Sequence, residues 1–125
     1  MDYLSGGDLR FHLCARRCFD ENQTRFFIAC LISGLEYIHK KSLIHRDIKP
    51  ENLVIDIDGY LRITDFGIAR CWREQNYQDT SGTPGYMAPE VMNRENHNYL
   101  VDYYAVGIIA YECMLGRRPY NGRTR

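Results

Sequence analysis

The sequence lacks an excess of charge of either sign, since 16 lysines and arginines balance 16 aspartates and glutamates over 125 residues. It also lacks internal repeats and low-complexity segments. Balanced charge argues against a protein that coats nucleic acid and against a disordered tail, so we expect no nucleic-acid partner. With 45% apolar and 13% aromatic residues, the composition predicts one ordinary globular unit or a piece of one.

Long hydrophobic runs are absent as well. The longest apolar stretches, at residues 26–32 and 105–111, fall well short of the ~18 residues that a membrane span requires. Asp2, Asp8 and Arg10 lie within the first ten residues, which is not typical of a signal peptide. The sequence therefore predicts no membrane segment and a cytoplasmic location, with the nucleus as the alternative. It gives no basis for an oligomeric state.

The five cysteines include no Cys-x-x-Cys pair and are odd in number, which favours reduced thiols over a disulfide framework. His12, Cys14 and Cys18 lie close together in sequence and leave a metal site open as an alternative. Structural zinc needs four ligands at recognisable spacing, and this cluster does not supply them.

Two helices and one hairpin can be predicted from local patterns. Asp20 and Gln23 form a capping-box pattern before a helix that extends to about residue 40. A second, more apolar helix over about 101–115 ends at Gly116 and should form the centre of the core. Between the helices, two short apolar runs flank Asp58 and Gly59, a strong signal for a β-hairpin.

The hairpin has a consequence for chemistry. Asn52 precedes its first strand and Asp65 follows its second, so the fold-back brings the two residues close despite thirteen positions of separation. Both are oxygen ligands of the kind that Mg²⁺ prefers.

Several short motifs follow one another along the chain, and together they resemble the signature of the eukaryotic protein kinases. A single such triplet is a weak signal, but the ordered set at this spacing is not expected by chance. In chain order they comprise His45, Arg46, Asp47, Lys49, Asn52, Asp65, Phe66, Gly67, Gly82, Thr83, Pro84, Ala88, Pro89, Glu90 and Asp102.

The run from Lys49 to Asn52 resembles serine/threonine rather than tyrosine kinases. Other parts of the chain, residues 1–9 and 102–120, look most like the AGC group, the relatives of protein kinase A, including its YANK-type members. The resemblance implies a mainly α fold with a small β-hairpin, as in the large C-terminal lobe of the α+β protein kinase fold. Residues 1–125 would form a partial kinase domain containing the hinge, catalytic loop, activation segment and central helix. The small lobe and the last large-lobe helices would lie outside it.

The resemblance assigns ATP and Mg²⁺ as cofactors and gives the catalytic residues their roles. Asp47 would accept the proton of the substrate hydroxyl, and Lys49 would neutralise the phosphoryl group beside it. Thr83 would hydrogen-bond both. Asp65 and Asn52 would hold the two metal ions. Taken one at a time, Asp47 could instead cap a helix, Asp65 form a turn and Asn52 end a strand.

The nucleotide and the protein substrate are assigned in the same way. The backbone of Asp2 and Leu4 would bind adenine over Val54, and Asp8 would reach the ribose; a plain loop at residues 6–7 is the alternative. Acidic side chains at Asp8, Glu51 and Glu112 would receive basic residues that precede the acceptor, unless they are merely solvated or structural acids. Pro84 and Met87 would line the pocket for the residue after the acceptor.

Residues 65–90 are identified as the activation segment. Relatives commonly carry a phosphorylated threonine where this chain has Asp79. We therefore expect Asp79 to substitute in part for a phosphate and to pair with Arg46 and Arg70. Thr80 is an alternative phosphorylation site.

The remaining motif residues are expected to be structural. His45 and Phe66 would belong to the hydrophobic spine, and Gly67 to the Asp-Phe-Gly turn. In the family an arginine pairs with the residue that matches Glu90, and this arginine would lie in the large-lobe helices outside these 125 residues. Asp102 would anchor the catalytic-loop backbone, or else serve as an ordinary helix cap.

No Gly-rich phosphate loop, strand lysine or partner helix glutamate occurs among these 125 residues. The sequence thus predicts part of a larger serine/threonine kinase that acts on protein substrates, with little or no activity in this segment alone. The alternative is a truncated, non-catalytic kinase-like binding module.

Overall fold

Two long helices pack against each other at the centre of the computed structural model, which describes residues 6–120. Four α-helices, four short strands in two antiparallel pairs and one 3₁₀ helix are described, so this part of the chain is mainly α, as predicted. In chain order the elements are α1 (Leu9–Arg16), α2 (Glu21–His39), β1 (Leu43–Ile44), the 3₁₀ helix (Pro50–Asn52), β2 (Leu53–Ile55), β3 (Leu61–Ile63), β4 (Arg70–Cys71), α3 (Pro89–Met92) and α4 (Leu100–Leu115).

Helix α2 begins as its sequence predicts. The Asp20 carboxylate accepts the backbone N–H of Gln23, and the Gln23 side chain accepts the N–H of Asp20, so the capping box is complete. Leu31, Leu35 and Ile38 are buried on one face of the helix. This face packs against α4 and β3.

Helix α4 forms the predicted centre of the core. Apolar side chains from Val101 to Cys113 are buried, and Gly116 ends the helix in the left-handed conformation with φ of 69°. Two acids, Asp102 and Glu112, are also buried on this helix. A buried carboxylate is costly unless it is paired, so each must have partners within the fold.

The predicted hairpin is present. Strands β2 and β3 pair antiparallel, with Leu53 opposite Ile63 and Ile55 opposite Leu61. At the turn, Gly59 adopts a φ of 87°, a conformation that an L side chain rarely adopts.

Two features of the fold had no clear sequence signal. Strand β1 pairs with β4, so Ile44 lies opposite Arg70 across 26 positions of sequence. The second is helix α1, because no local pattern predicted a helix at Leu9–Arg16. Gly6 approaches β2 so closely that an added Cβ would lie 2.4 Å from the carbonyl oxygen of Ile55.

No helix within residues 6–120 is long and apolar enough to cross a membrane. The same residues contain no group of three or more His, Cys, Asp or Glu side chains suited to hold a metal ion. All five cysteines are free.

Candidate active site

The loop between β1 and the 3₁₀ helix is held in place by Asp102. Its buried carboxylate accepts the backbone N–H of His45 at 2.9 Å and that of Arg46 at 2.8 Å. The same carboxylate accepts a hydrogen bond from Nε2 of His39 at 2.7 Å. Asp102 lies in the first turn of α4, whose N-cap is Tyr99, so it does not cap the helix.

His45 is fully buried and connects this loop to the strand end beyond the hairpin. Its Nε2 lies 3.0 Å from the carbonyl oxygen of Thr64, and its Nδ1 accepts the backbone N–H of Asp47 at 3.3 Å. The carbonyl can only accept, so this geometry requires the proton on Nε2. The His45 ring also meets Phe66 edge to face at 4.9 Å.

Three polar side chains, from Lys49, Asn52 and Thr83, meet at Asp47. One carboxylate oxygen accepts the Thr83 hydroxyl at 2.6 Å, and the other lies 3.0 Å from Nζ of Lys49. Lys49 also donates to the Thr83 hydroxyl at 2.8 Å. Asn52 donates through Nδ2 to the Asp47 carboxylate at 3.1 Å and to its backbone carbonyl at 2.9 Å.

These contacts set the charge state of Asp47. Partial burial would raise the pKa of its carboxyl, but the hydrogen bonds from Thr83, Lys49 and Asn52 outweigh burial and hold the pKa below its ordinary value. Asp47 is therefore ionised at neutral pH. It is an acceptor with a cation and a hydroxyl already in place beside it.

The hairpin brings the two predicted metal ligands to one region. The backbone N–H and the hydroxyl of Thr64 both donate to the backbone carbonyl of Asn52, at 2.9 and 3.0 Å. Asp65 is the next residue after Thr64, so this contact brings its backbone near Asn52. Asp65 is exposed, and one of its oxygens accepts the N–H of Gly67 at 3.1 Å. Asn52 bonds to Asp47 through the nitrogen of its side-chain amide. The oxygen of that amide is therefore available to bind a metal ion.

Two oxygen donors suit Mg²⁺ better than a transition metal. Mg²⁺ is usually held by one or two carboxylates or similar groups, with water and substrate phosphates completing its octahedron. The donor chemistry of Asn52 and Asp65 therefore fits Mg²⁺ bound together with a nucleotide.

Two residues of this site have left-handed backbone conformations. Arg46 has a φ of 70° and Asp65 a φ of 59°, and neither is glycine. Such conformations cost about 1–3 kcal/mol each and persist where surrounding contacts determine them. For Arg46, the Asp102 carboxylate fixes the backbone, while the side chain donates through Nε to the carbonyl of Ile68 at 2.8 Å.

The nucleotide residues predicted from sequence are described only in part. Asp2 and Leu4 lie outside the described residues. Asp8 forms an antiparallel bridge with Val54, and Ile55 donates to the carbonyl of Gly7 at 3.0 Å, so these residues are brought together. The Asp8 carboxylate caps α1 by accepting the N–H of Phe11 at 2.8 Å.

Asp79, in the segment 65–90, contacts the loop between β1 and the 3₁₀ helix. One Asp79 oxygen lies 3.5 Å from Nη1 of Arg46, whose side chain is buried. The predicted second partner is not engaged: Arg70 instead donates to the carbonyl of Ala69 at 3.1 Å, and Asp79 has no ion pair with it in the described chain. Burial lowers the pKa of Arg46 and the neighbouring charge of Arg70 adds to this, while Asp79 opposes it. Thr80 follows, partly exposed.

A buried amide positions this segment. The Asn76 side chain donates to the carbonyl of His97 at 2.7 Å and accepts the N–H of His97 at 2.8 Å, as a backbone strand partner would. Asp79 then donates its own N–H to the carbonyl of Asn76 at 2.9 Å. Asn76 gave no recognised signal in the sequence.

A small cavity of about 10 Å³ beside Asp47 is lined by the segment 81–90 on one side and by residues 46–48 and α4 on the other. Met87 and Thr83 line it, whereas Pro84 is exposed and is not among its lining residues. Glu90 lies in the first turn of α3 and makes no ion pair within residues 6–120.

Two of the three acids predicted to bind substrate are already in contact with an arginine of this chain. Arg10 reaches from α1 to Glu51 and Glu112, and Tyr86 donates its hydroxyl to Glu112. Burial and the Glu112 carboxylate both raise the pKa of Tyr86. Arg10, Tyr86 and His39 were missed as site residues, because their contacts connect positions 26 to 102 residues apart.

The chain matches the family model described as "Protein kinase domain" over residues 1–125. It is 41% identical over 124 residues to the "Putative protein kinase C delta type homolog" of Drosophila melanogaster, covering 98% of this chain and 18% of that protein. It is 40% identical to the "cAMP-dependent protein kinase, catalytic subunit-like" of Caenorhabditis elegans, covering 99% and 31%. It is 41% identical to the "RAC-beta serine/threonine-protein kinase" of Homo sapiens, covering 96% and 25%. The chain thus spans a third or less of these relatives.

Proposed function

The chain belongs to the protein kinase family, and we propose that the natural protein transfers the γ-phosphoryl group of ATP to serine and threonine hydroxyls of proteins. The observation that carries this proposal is the ionised Asp47 carboxylate held by Thr83, Lys49 and Asn52. The serine/threonine kinases among the relatives support the choice of acceptor.

The proposed reaction assigns a task to each member of this cluster. The acceptor hydroxyl oxygen forms a bond to the γ-phosphorus as the bond from that phosphorus to the bridging oxygen of ADP breaks. The hydroxyl proton passes to Asp47, which orients the hydroxyl by accepting its hydrogen bond. Lys49 places a positive charge beside the phosphoryl oxygens, and Thr83 keeps Asp47 and Lys49 in register.

We propose ATP and Mg²⁺ as cofactors, with Asn52 and Asp65 as the protein ligands of the metal. When bound, Mg²⁺ neutralises the charge of the phosphate oxygens. The backbone of Asp2 and Leu4, with Val54, would bind the adenine ring, and Asp8 would lie near the ribose.

We propose that Asp79 holds the activation segment in place without a phosphate. One carboxylate at 3.5 Å is a weak partner for the buried Arg46, whose Nη1 makes no hydrogen bond among the described residues. The substitution is therefore partial, as the smaller charge of a carboxylate predicts.

A preference for basic residues before the acceptor remains a proposal that depends on the charge available at Asp8, Glu51 and Glu112. Arg10 already contacts two of these three carboxylates. A preference for basic residues can therefore arise only at substrate positions that reach a carboxylate not already paired with Arg10. A cytoplasmic location is proposed on the reduced cysteines alone.

The experiment that tests the function uses the natural full-length protein with ATP, Mg²⁺ and matched peptides whose single hydroxyl residue is Ser, Thr or Tyr. Phosphorylation is read by mass spectrometry of the peptides. We expect the Ser and Thr peptides to gain one phosphoryl group and the Tyr peptide to gain none. If a protein that binds ATP modifies none of them, or modifies only Tyr, the proposal is wrong and a non-catalytic binding module becomes the better account.

A further inference from the structure

Arg10 occupies a pocket that has the chemistry of an arginine-binding subsite. Its Nε donates to Glu51 at 2.8 Å, and Nη1 and Nη2 donate to the two oxygens of Glu112 at 2.7 and 3.3 Å. Nη2 also donates to the Tyr86 hydroxyl. A guanidinium has five N–H donors, and four of those of Arg10 are thereby used.

The pocket is assembled from parts of the chain that are distant in sequence. Arg10 comes from α1, Glu51 from the 3₁₀ helix, Tyr86 from the segment after Thr83, and Glu112 from α4. The two carboxylates lie 41 and 102 positions from Arg10. Glu51 is also two residues from Lys49, so the pocket adjoins the proposed catalytic cluster.

Burial makes the pairing of Glu112 with Arg10 strong. The Glu112 side chain is 8% exposed, and a buried carboxylate without a cation is strongly destabilising. Arg10 supplies that cation in the bidentate geometry that suits arginine and a carboxylate. Burial alone would lower the pKa of Arg10, but the bonds to Glu112 and Glu51 outweigh it and raise the pKa, so Arg10 stays charged.

The pocket offers a second arginine few free hydrogen-bond acceptors and little negative charge. Both oxygens of Glu112 are engaged, and two carboxylates with one guanidinium leave a single net negative charge. The remaining oxygen belongs to Glu51, whose side chain is 44% exposed. An ion pair at such an exposed position contributes only about 0–1 kcal/mol.

We infer that Arg10 is a specificity-determining residue: it fills the Glu51–Glu112 subsite and removes selection for arginine at the substrate position that would reach this subsite. The inference rests on the proposed kinase function. It predicts that the acidic character of Glu51 and Glu112 does not translate into a basic substrate preference unless Arg10 is removed.

The test measures peptide binding by the natural full-length protein, independently of phosphoryl transfer. The probes are fluorescein-labelled threonine peptides in which each position before the acceptor is in turn Arg or Ala, and anisotropy gives the dissociation constants. The variants are Arg10→Gln, Arg10→Met, which keeps much of the aliphatic stem, Arg10→Lys, which keeps a cation, and Glu51→Gln both alone and together with Arg10→Gln. Arg25→Gln is the matched control, because Arg25 also pairs with a glutamate, at an exposed position of α2.

At the substrate position that reaches the Glu51–Glu112 subsite, the wild type, Arg10→Lys and Arg25→Gln should bind the Arg and Ala peptides equally, within about twofold. Arg10→Gln or Arg10→Met should bind the peptide with Arg at one position about tenfold more tightly than its Ala version, which corresponds to ~1.4 kcal/mol. Adding Glu51→Gln should reduce this gain, because it removes one of the two carboxylates that would pair with the peptide arginine.

Two results would overturn the inference. One is a tenfold arginine preference in the wild type that Glu51→Gln removes, which requires no folded Arg10 variant. The other is an Arg10→Gln or Arg10→Met protein that is folded at the assay temperature and shows no gain at any position. A protein that shows the expected binding pattern but phosphorylates no peptide would contradict the proposed function and leave the inference intact.

Discussion

At the scale of single residues, the site depends on hydrogen bonds between residues that are far apart in the sequence. Asp102 was expected either to anchor the catalytic loop or to cap a helix, and the structure shows it bonded to two loop N–H groups and to His39. Asp8 was expected near the ribose, and that role stays a prediction. The structure adds a role that was not expected, because the Asp8 carboxylate caps α1.

The depressed pKa of Asp47 predicts a pH dependence of stability. Its folded-state pKa lies below its ordinary value of 3.8, so ionised Asp47 contributes stability above that value, which is lost as pH falls through the folded pKa. The difference in unfolding free energy between wild type and Asp47→Asn should therefore be largest near pH 6 and shrink by about pH 3. Denaturant titrations at several pH values measure it. A constant difference over this range would contradict the assigned pKa direction.

At the scale of elements, local patterns predicted the features that depend on adjacent residues but not the pairing of distant segments. The capping box at Asp20, the turn at Gly59 and the left-handed end of α4 at Gly116 each depend on a few adjacent residues. The β1–β4 pair and the bond from Asn76 to His97 depend on the approach of segments about 20 or more positions apart. No local pattern specifies which partner such residues will meet.

The order of the activation segment depends on Asn76 because its side chain replaces a missing strand partner for His97. Asn76→Ala leaves a buried N–H and carbonyl without their bonds, which costs about 1–3 kcal/mol per unsatisfied group. We expect faster cleavage of residues 72–80 in limited proteolysis of the full-length protein. Gln78→Ala, exposed on the same segment, should leave the cleavage rate unchanged. Equal cleavage of both variants would show that Asn76 is not what orders the segment.

The ion pair between Asp79 and Arg46 is the second contact that orders this segment. The Asp79 side chain is 48% exposed, so solvent screens the ion pair. Removing the pair should therefore have only a modest effect on activity. Asp79→Asn should lower kcat/KM by about fivefold, or ~1 kcal/mol, with a smaller effect at high salt. Glu74→Gln removes an exposed charge nearby and is the control. Unchanged kcat/KM in Asp79→Asn would exclude a phosphate-like role.

At the scale of the whole molecule, apolar side chains remain exposed along the groove between α2 and β3. Phe26, Tyr37, Tyr60 and Phe66 are each between 44% and 65% exposed there. Contiguous exposed apolar surface of this kind is an interaction or aggregation liability.

Expressed alone, the 125-residue segment should therefore self-associate and transfer no detectable phosphoryl group. Its sequence holds no Gly-rich loop or strand lysine to position ATP phosphates. Light scattering after size exclusion and a phosphoryl-transfer assay on the same sample measure both properties. A monomeric segment with activity comparable to that of the full-length protein would contradict this expectation.

The central claim is that Asp47 is the group that receives the acceptor proton. The most direct measurement compares kcat for Asp47→Asn with that for Asp58→Asn in the full-length protein, with ATP affinity measured alongside. Asp58 is an exposed turn residue of the hairpin and serves as the control. The account predicts a fall in kcat of about 10²–10⁴-fold for Asp47→Asn, with ATP affinity unchanged and Asp58→Asn like the wild type. An Asp47→Asn protein that keeps most of the wild-type kcat would contradict it.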